Sequence, residues 1–318
     1  MKILVTGCAG FIGFHLCKSL LDKKIQVYGV DNLNNYYSVK LKKMRLSILQ
    51  GYKKFTFSKI DISKYKKLER IFEKNKFSLI INLAAQAGVR YSIINPREYM
   101  ESNTLGFFNI LELSRKYKIK KIFYASSSSV YGDQKKFPVK ENLKLFPKNI
   151  YSLSKKNNEE LADIYFRYYR LKSLGLRFFT VYGEWGRPDM LMIKYILSKL
   201  KQKTFVLNHR GNHYRDFTYI KDVIKILNKL IFSKMQKGHD VINICSNNPF
   251  KVNKILEFID KNYGRPKVKY QKKLNIEVLK THGSNSKVKK ITKFKNFTSL
   301  EKGLTNLIIW AKKYIKKI

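Results

Sequence analysis

Short apolar runs alternate with longer amphipathic stretches through the first half of the chain, and this alternation limits the fold more than any other feature. The runs at residues 2–6, 26–31, 55–60, 79–83 and 121–125 predict strands. Residues 11–21, 39–49, 64–73, 104–117 and 152–170 predict helices, the last with Leu161, Ile164, Tyr165 and Tyr168 at helical spacing. Strands separated by helices of this length build β-α-β units around a parallel sheet, and a run at 174–179 extends it. Beyond Thr180 the pattern loosens: a turn-rich loop (Gly183 to Arg187-Pro188), helices at 190–200, 221–232 and 252–263, and a strand at 241–245. Residues 265–295 are strongly basic but keep apolar residues at strand or helix spacing, and 300–314 closes the chain as a helix. The expectation is an α/β protein, a doubly wound parallel sheet with a smaller, interleaved C-terminal α/β lobe. The first body comprises residues 1–179 plus about 217–245, and the second 180–216 plus 246–318.

Gly7, Gly10 and Gly13 fall between the first strand and the first helix. Glycine suits that place because the turn is tight, a pyrophosphate must approach the backbone, and helix and strand must pack closely. The helix N-terminus then offers free N–H groups to phosphates. The glycine pattern alone is weak, but its strand-turn-helix context is the one a dinucleotide fold of the Rossmann type requires. Asp31 ends the second strand, where a carboxylate accepts ribose hydroxyls and repels a 2′-phosphate, favouring NAD over NADP; a strand-end turn residue is the plain alternative. Asp61-Ile62 follows the third strand and suits either an adenine contact or a helix N-cap.

Tyr151 and Lys155 lie four apart at the start of the long helix, on one face. A phenol with its usual pKa of about 10 is a poor base at neutral pH, and an adjacent ammonium lowers that value by favouring the phenolate. The pair occurs by chance on surface helices. Here it follows the serine cluster ASSSSVYG (residues 125–132), placed after the fifth strand, where parallel sheets bind ligands. A flexible turn is the alternative for the serines.

The charge balance is 66 Lys+Arg against 22 Asp+Glu, a net +44 that points first to a polyanionic partner. Yet 54 of the 66 are Lys and 12 are Arg, whereas bidentate phosphate and base recognition favours Arg. A nucleic-acid-binding protein also needs aromatic platforms among its basic residues, and the aromatics here sit mostly in periodic apolar runs; no nucleic-acid partner is expected. A 44% hydrophobic chain is not disordered by charge. Three cysteines (Cys8, Cys17, Cys245) and five histidines show no metal-ligand spacing, and His209 and His213 read as loop residues. No metal is expected. Without a signal peptide or an apolar stretch of about 20 residues, a cytoplasmic protein with no membrane partner is the expectation.

Together these residues resemble the extended branch of the short-chain dehydrogenase/reductase superfamily. Within it they are similar to the NAD-dependent epimerase/dehydratase family and its UDP-glucuronate 4-epimerases. The likeness spans essentially the whole chain: TGCAGFIG from Thr6, DNLNNYYSVKLKKMRL from Asp31, NLAAQAGVRYS from Asn82, SSSSVYG from Ser126, YSLSKK from Tyr151, GLRFFTVYGEWGRPDM from Gly175 and RDFTYIKDV from Arg215. The resemblance implies Tyr151 as catalytic base and acid, with Lys155 and Ser127 as its partners. It implies NAD held by Gly7, Gly10, Phe11, Ile12, Gly13, Asp31, Asn32, Asp61, Ile62, Leu83, Ala84 and Ala85 together with Tyr151 and Lys155. Ser128, Ser129, Thr180 and Arg187 match positions around a sugar carboxylate, and Arg215 matches a diphosphate ligand. Arg90 lies in a substrate-side loop, where a structural salt bridge is an equal reading. The implied reaction is UDP-glucuronate to UDP-galacturonate through a 4-keto intermediate, for surface polysaccharide, in a homodimer that pairs through the 104–117 and 152–170 helices. A UDP-glucose or UDP-N-acetylglucosamine 4-epimerase, or a UDP-glucuronate decarboxylase, is the alternative; Thr180 and the GRPDM loop argue against both. The tail departs from the family, with Asn275-Ile276-Glu277 where relatives often carry Pro-Gly-Asp, Gly283-Ser284 for an Ala-Asp pair, and Lys293-Phe294-Lys295-Asn296 for a glycine-tyrosine-proline region.

Overall fold

The first strand, β1 (Lys2–Thr6), turns through the glycines into α1 (Phe11–Asp22), and the same unit repeats along the chain. There follow β2 (Gln26–Asp31), α2 (Val39–Gln50), β3 (Phe55–Lys59), α3 (Tyr65–Lys74), β4 (Leu79–Asn82), the short α4 (Tyr91–Ile94) and α5 (Pro96–Tyr99), and α6 (Gly106–Lys116). Next come β5 (Lys121–Ser127), α7 (Ile150–Tyr169), β6 (Lys172–Phe178), β7 (Thr180–Tyr182), α8 (Leu191–Leu200), β8 (Phe205–Asn208), β9 (Tyr214–Tyr219) and α9 (Ile220–Phe232). The chain ends with β10 (His239–Ile244), β11 (Pro249–Lys251), α10 (Val252–Tyr263), β12 (Val268–Gln271), α11 (Ser286–Thr292) and α12 (Leu300–Tyr314). The computed structural model describes residues 1–233, 238–272 and 278–317, so the Asn275-Ile276-Glu277 departure lies outside the described residues.

Among the described residues a seven-stranded sheet runs in the order β10-β6-β5-β4-β1-β2-β3, all parallel. The predicted doubly wound sheet is therefore present. Strand alternation sorts its side chains between two layers. Ile3, Val5 and Phe123 face α1 and α9, packing with Phe14, Leu20, Val223 and Leu227. Leu4, Ile122 and Tyr124 face α3, α6 and α7, packing with Ile71, Phe107, Ile110 and Ala162. The chain winds from β1 outward to β3, then crosses back to β4 on the other side of β1. Ligands of open parallel sheets bind at this reversal, beyond the carboxyl ends of the strands.

A three-stranded sheet (β11-β9-β7) and a two-stranded one (β12-β8) stand beside the large sheet with α8, α10 and α12. Periodicity singles out none of these short strands, and for β12 it shows only that residues 265–295 keep strand or helix spacing, because each is at most six residues long and mixes polar with apolar positions. One further difference bears on function. The helix expected over 104–117 is entered through a π-helical turn, Met100–Leu105. The turn brings in Asn103, whose amide accepts from the Gln86 N–H at 2.7 Å and donates to the Gln86 carbonyl at 3.0 Å and the Ser154 Oγ at 3.0 Å. A π-turn of this kind is a local device for aiming a side chain, here tying the loop after β4 to α7.

Candidate active site

A cleft of about 490 Å3 opens at the reversal point. Its floor is the glycine loop. Gly7 has φ +70, and a Cβ there would stand 2.7 Å from the Ala84 nitrogen; one on Gly13 would stand 2.0 Å from the Gly7 carbonyl oxygen. Both contacts are with backbone, so no side chain can be accommodated by local relaxation. Asp31 is buried beside the loop and fixed by the Ala9 N–H at 3.1 Å and the Leu33 N–H at 2.8 Å. Burial raises its pKa, against the pull of those amides and of Lys42 and Arg45. Asp61 accepts from Asn32 Nδ2 at 2.8 Å and from the Ser63 N–H at 2.9 Å. These bonds outweigh burial and hold its pKa below the usual carboxylate value. It thus makes a local turn contact and lines the cleft at once. A glycine cradle, a helix N-terminus and a fixed carboxylate fit a dinucleotide.

The opposite wall is built by α7. Asn149 caps the helix: its Oδ1 accepts the Ser152 N–H at 2.9 Å, and the Ser152 Oγ accepts the Asn149 N–H at 3.1 Å. This reciprocal cap sets the first turn and, with it, Tyr151 and Lys155. The Lys155 ammonium lies 6.0 Å from the Tyr151 ring centroid. Lys155 is buried, and that burial brings its pKa down to about 8. Burial also raises the Tyr151 phenol, while a hydrogen bond with Ser127 and the charge of Arg187 pull it back down. The serine cluster is not a flexible turn. It ends β5 and enters a 3-10 turn (Ser128–Tyr131), with the Ser127 Oγ accepting from the Ser129 N–H at 3.2 Å and its hydroxyl at 2.9 Å. Behind it, Glu159 accepts from the Ser126 hydroxyl at 2.5 Å and forms a buried pair with Arg177 at 2.7 and 2.8 Å.

Thr180 starts β7 and Arg187 follows on the next loop; both line the cleft. Arg187 donates to both Asp189 carboxylate oxygens, at 3.0 and 2.5 Å, and lies 5.6 Å over the Tyr36 ring. Burial opposes its charge, but Asp189, Tyr36 and Tyr37 more than offset this and raise its pKa. Arg215, on β9, donates to the carbonyls of Tyr214 and Val278 at 2.8 Å, which turns it along the cleft wall.

The cleft therefore gathers the expected residues from eight separate segments: Gly7, Gly10, Phe11, Ile12 and Gly13; Asp31 and Asn32; Asp61 and Ile62; Leu83, Ala84 and Ala85; Ser127, Ser128 and Ser129; Tyr151 and Lys155; Thr180 and Arg187; and Arg215. Arg90 is not among the lining residues; it is exposed at the start of α4. Tyr36, Tyr37, Lys42, Gln86 and Asn149 also line the cleft and escaped the sequence reading. The tyrosine pair after Asp31 was the available signal. Lys42 was hidden among lysines of the same helix. Among the described residues, no cluster of His, Cys, Asp or Glu could hold a metal ion, and no helix is long and apolar enough to cross a membrane.

Residues 3–245 match the model of the NAD dependent epimerase/dehydratase family. The chain is 39% identical over 318 residues to a UDP-glucuronate 4-epimerase of Thermodesulfobacterium geofontis, covering 99% of this chain and 97% of the relative. It is 40% identical to the protein CapI of Staphylococcus aureus over the full length of both. A crystal structure of a Bacillus cereus UDP-glucuronic acid 4-epimerase, in complex with UDP-glucuronic acid and NAD, superposes with a TM-score of 0.91 at 30% identity. The match covers 98% of this chain and 99% of that one.

Proposed function

The chain belongs to the NAD dependent epimerase/dehydratase family, and we propose that it interconverts UDP-glucuronate and UDP-galacturonate at C4. The observation that carries this reading is that Arg187, held by Asp189, and the hydroxyl residues Thr180, Ser128 and Ser129 line the same cleft as Tyr151 and Lys155. A sugar with a carboxylate at C6 is matched by such a group; a neutral hexose is not.

In this reading residues 1–179 with about 217–245 bind NAD through the glycine loop, Asp31 and Asp61, and residues 180–216 with 246–318 bind the nucleotide sugar. Bound NAD supplies a reversible hydride acceptor for the sugar C4. Tyr151 takes the proton from the C4 hydroxyl and returns it after the sugar has turned. The Lys155 ammonium stabilises the phenolate, and the Ser127 hydroxyl holds the reacting oxygen against it. Arg215 meets the diphosphate. The 4-keto sugar is a β-keto acid, which loses CO2 when its C5–C6 bond aligns with the carbonyl π system. Arg187, Thr180 and the serines keep the carboxylate out of that alignment. The product serves surface polysaccharide synthesis.

We further propose a homodimer. The π-helical turn, α6 and α7 leave Leu105, Phe108, Leu153, Ile164 and Tyr168 exposed on neighbouring elements, a face that a second copy covers. The three cysteines are buried and unpaired, in keeping with a reducing cytoplasm.

Incubating the purified protein with UDP-glucuronate and analysing the sugar tests the central claim. Galacturonate is the expected product. Pentose with CO2 as the main product, conversion of UDP-glucose instead, or no conversion of any UDP-sugar overturns it.

A further inference from the structure

Arg45, on α2, is fully buried, with 0% of its surface exposed. Among the described residues its guanidinium fork hydrogen-bonds to oxygens of uncharged groups, from three separate segments, with Asp31 acting on it through charge alone. Nη1 donates to the Ala9 carbonyl at 2.9 Å, in the middle of the glycine loop, and to the Tyr37 hydroxyl at 2.8 Å. Nη2 donates to the carbonyls of Trp185 and Gly186, the latter at 3.2 Å, on the loop that carries Arg187. Its ring neighbour is again Tyr37, 5.6 Å from the guanidinium carbon.

Two details show that these contacts hold unusual backbone. Trp185 has φ +57, a left-handed conformation uncommon for a bulky residue and persistent only where the surroundings impose it. Arg45 binds the carbonyl of that residue and of the next. The two peptide groups that flank the Ala9 Cα are both held, the Ala9 N–H by Asp31 at 3.1 Å and the Ala9 carbonyl by Arg45. Among the described residues Arg45 has no ion pair; a buried charge held that way is costly, and it calls for a task that an apolar side chain cannot perform.

We propose that Arg45 is the positioning residue for Arg187. It bolts the carboxylate-clamp loop to the dinucleotide cradle, so that Arg187 stands at a fixed place relative to the reacting C4. The inference rests on the reading above, in which Arg187 holds the sugar carboxylate. Lysine cannot replace Arg45, because a single ammonium lacks the planar fork that reaches both the glycine loop and the Trp185-Gly186 carbonyls. With the bolt gone, the clamp loosens and the carboxylate turns toward the alignment that favours CO2 loss. In that step the C5–C6 bond breaks, its electron pair passes into the C4 carbonyl as an enolate, CO2 departs, and a proton adds at C5 to give the 4-keto pentose.

The test compares wild type with Arg45→Lys and Tyr37→Phe, each loaded with NAD, on UDP-glucuronate. Three quantities are read: the ratio of pentose to galacturonate nucleotides, kcat and KM separately, and NAD affinity by calorimetry together with Tm. For Arg45→Lys the expected ratio rises about tenfold, equivalent to a barrier shift of about 1.4 kcal/mol, and KM rises more than NAD affinity falls. Tyr37→Phe, which removes one partner of the fork and leaves the ring, shifts the ratio in the same direction by less, and it decides the matter if Arg45→Lys does not fold. An unchanged ratio in the folded variants, with kcat, KM and NAD affinity declining in step with Tm, overturns the proposal and leaves Arg45 a structural residue. Wild-type protein that makes no galacturonate overturns the underlying reading instead.

Discussion

Lys155 is the residue whose environment most directly sets a measurable property. In the proposed reaction the protonated form of Lys155 supports the Tyr151 phenolate, together with the Ser127 hydrogen bond and the Arg187 charge, and burial brings the lysine pKa down to about 8. Turnover therefore falls as pH rises through about 8, and kcat/KM, which reports the free enzyme, shows an alkaline limb there. A profile flat up to the ordinary lysine value of about 10.4 contradicts this. The sign for stability is opposite. A depressed lysine pKa disfavours the charged form in the folded state, so this group's penalty is full below about 8 and relieved as pH rises toward the unfolded value. At the sugar end, Arg187→Ala removes a charge-assisted contact worth about 1.5–3 kcal/mol. We expect kcat/KM on UDP-glucuronate to fall about 10- to 100-fold with NAD affinity, measured by calorimetry, nearly unchanged. Equal loss of both, or of neither, sinks the carboxylate role.

At the scale of elements, the decisive contact is between α1 and the turn that precedes it. Gly13→Ala drives a methyl into the Gly7 carbonyl, 2.0 Å away, whereas Gly51→Ala at the end of α2 meets only the Ile48 carbonyl at an ordinary 3.5 Å. Overpacking of this kind costs about 1–3 kcal/mol. Gly13→Ala is expected to lower Tm and abolish NAD binding, with Gly51→Ala close to wild type in both; similar behaviour of the two contradicts the packing argument. The same turn was legible in the sequence because its requirement is local: three glycines at the junction of a strand and a helix. Tyr151 and Lys155 were legible for the same reason, being one helical turn apart. The Asn149 cap that aims them was not singled out, since an asparagine before a helix takes its meaning only from the Ser152 contact made on folding.

Across the whole molecule, the apolar face on α6 and α7 predicts self-association. Sedimentation of wild type should give a dimer and Phe108→Glu a monomer that keeps its fold by circular dichroism; a wild-type monomer refutes this. The net charge of +44 is carried mostly on the surface, while Lys42, Arg45, Lys155 and Arg177 are buried. By itself the sequence determined the parallel sheet, the glycine cradle and the Tyr-Lys pair, because periodicity and short spacing encode them without reference to distant residues. Tertiary structure alone decided which basic residues leave the solvent and what they meet. Arg45 and Trp185 are 140 positions apart, and no local pattern distinguishes Arg45 from its exposed neighbour Lys43. A buried cation is tolerated only where folding delivers oxygens from several segments to one point, and that convergence exists only in the folded chain.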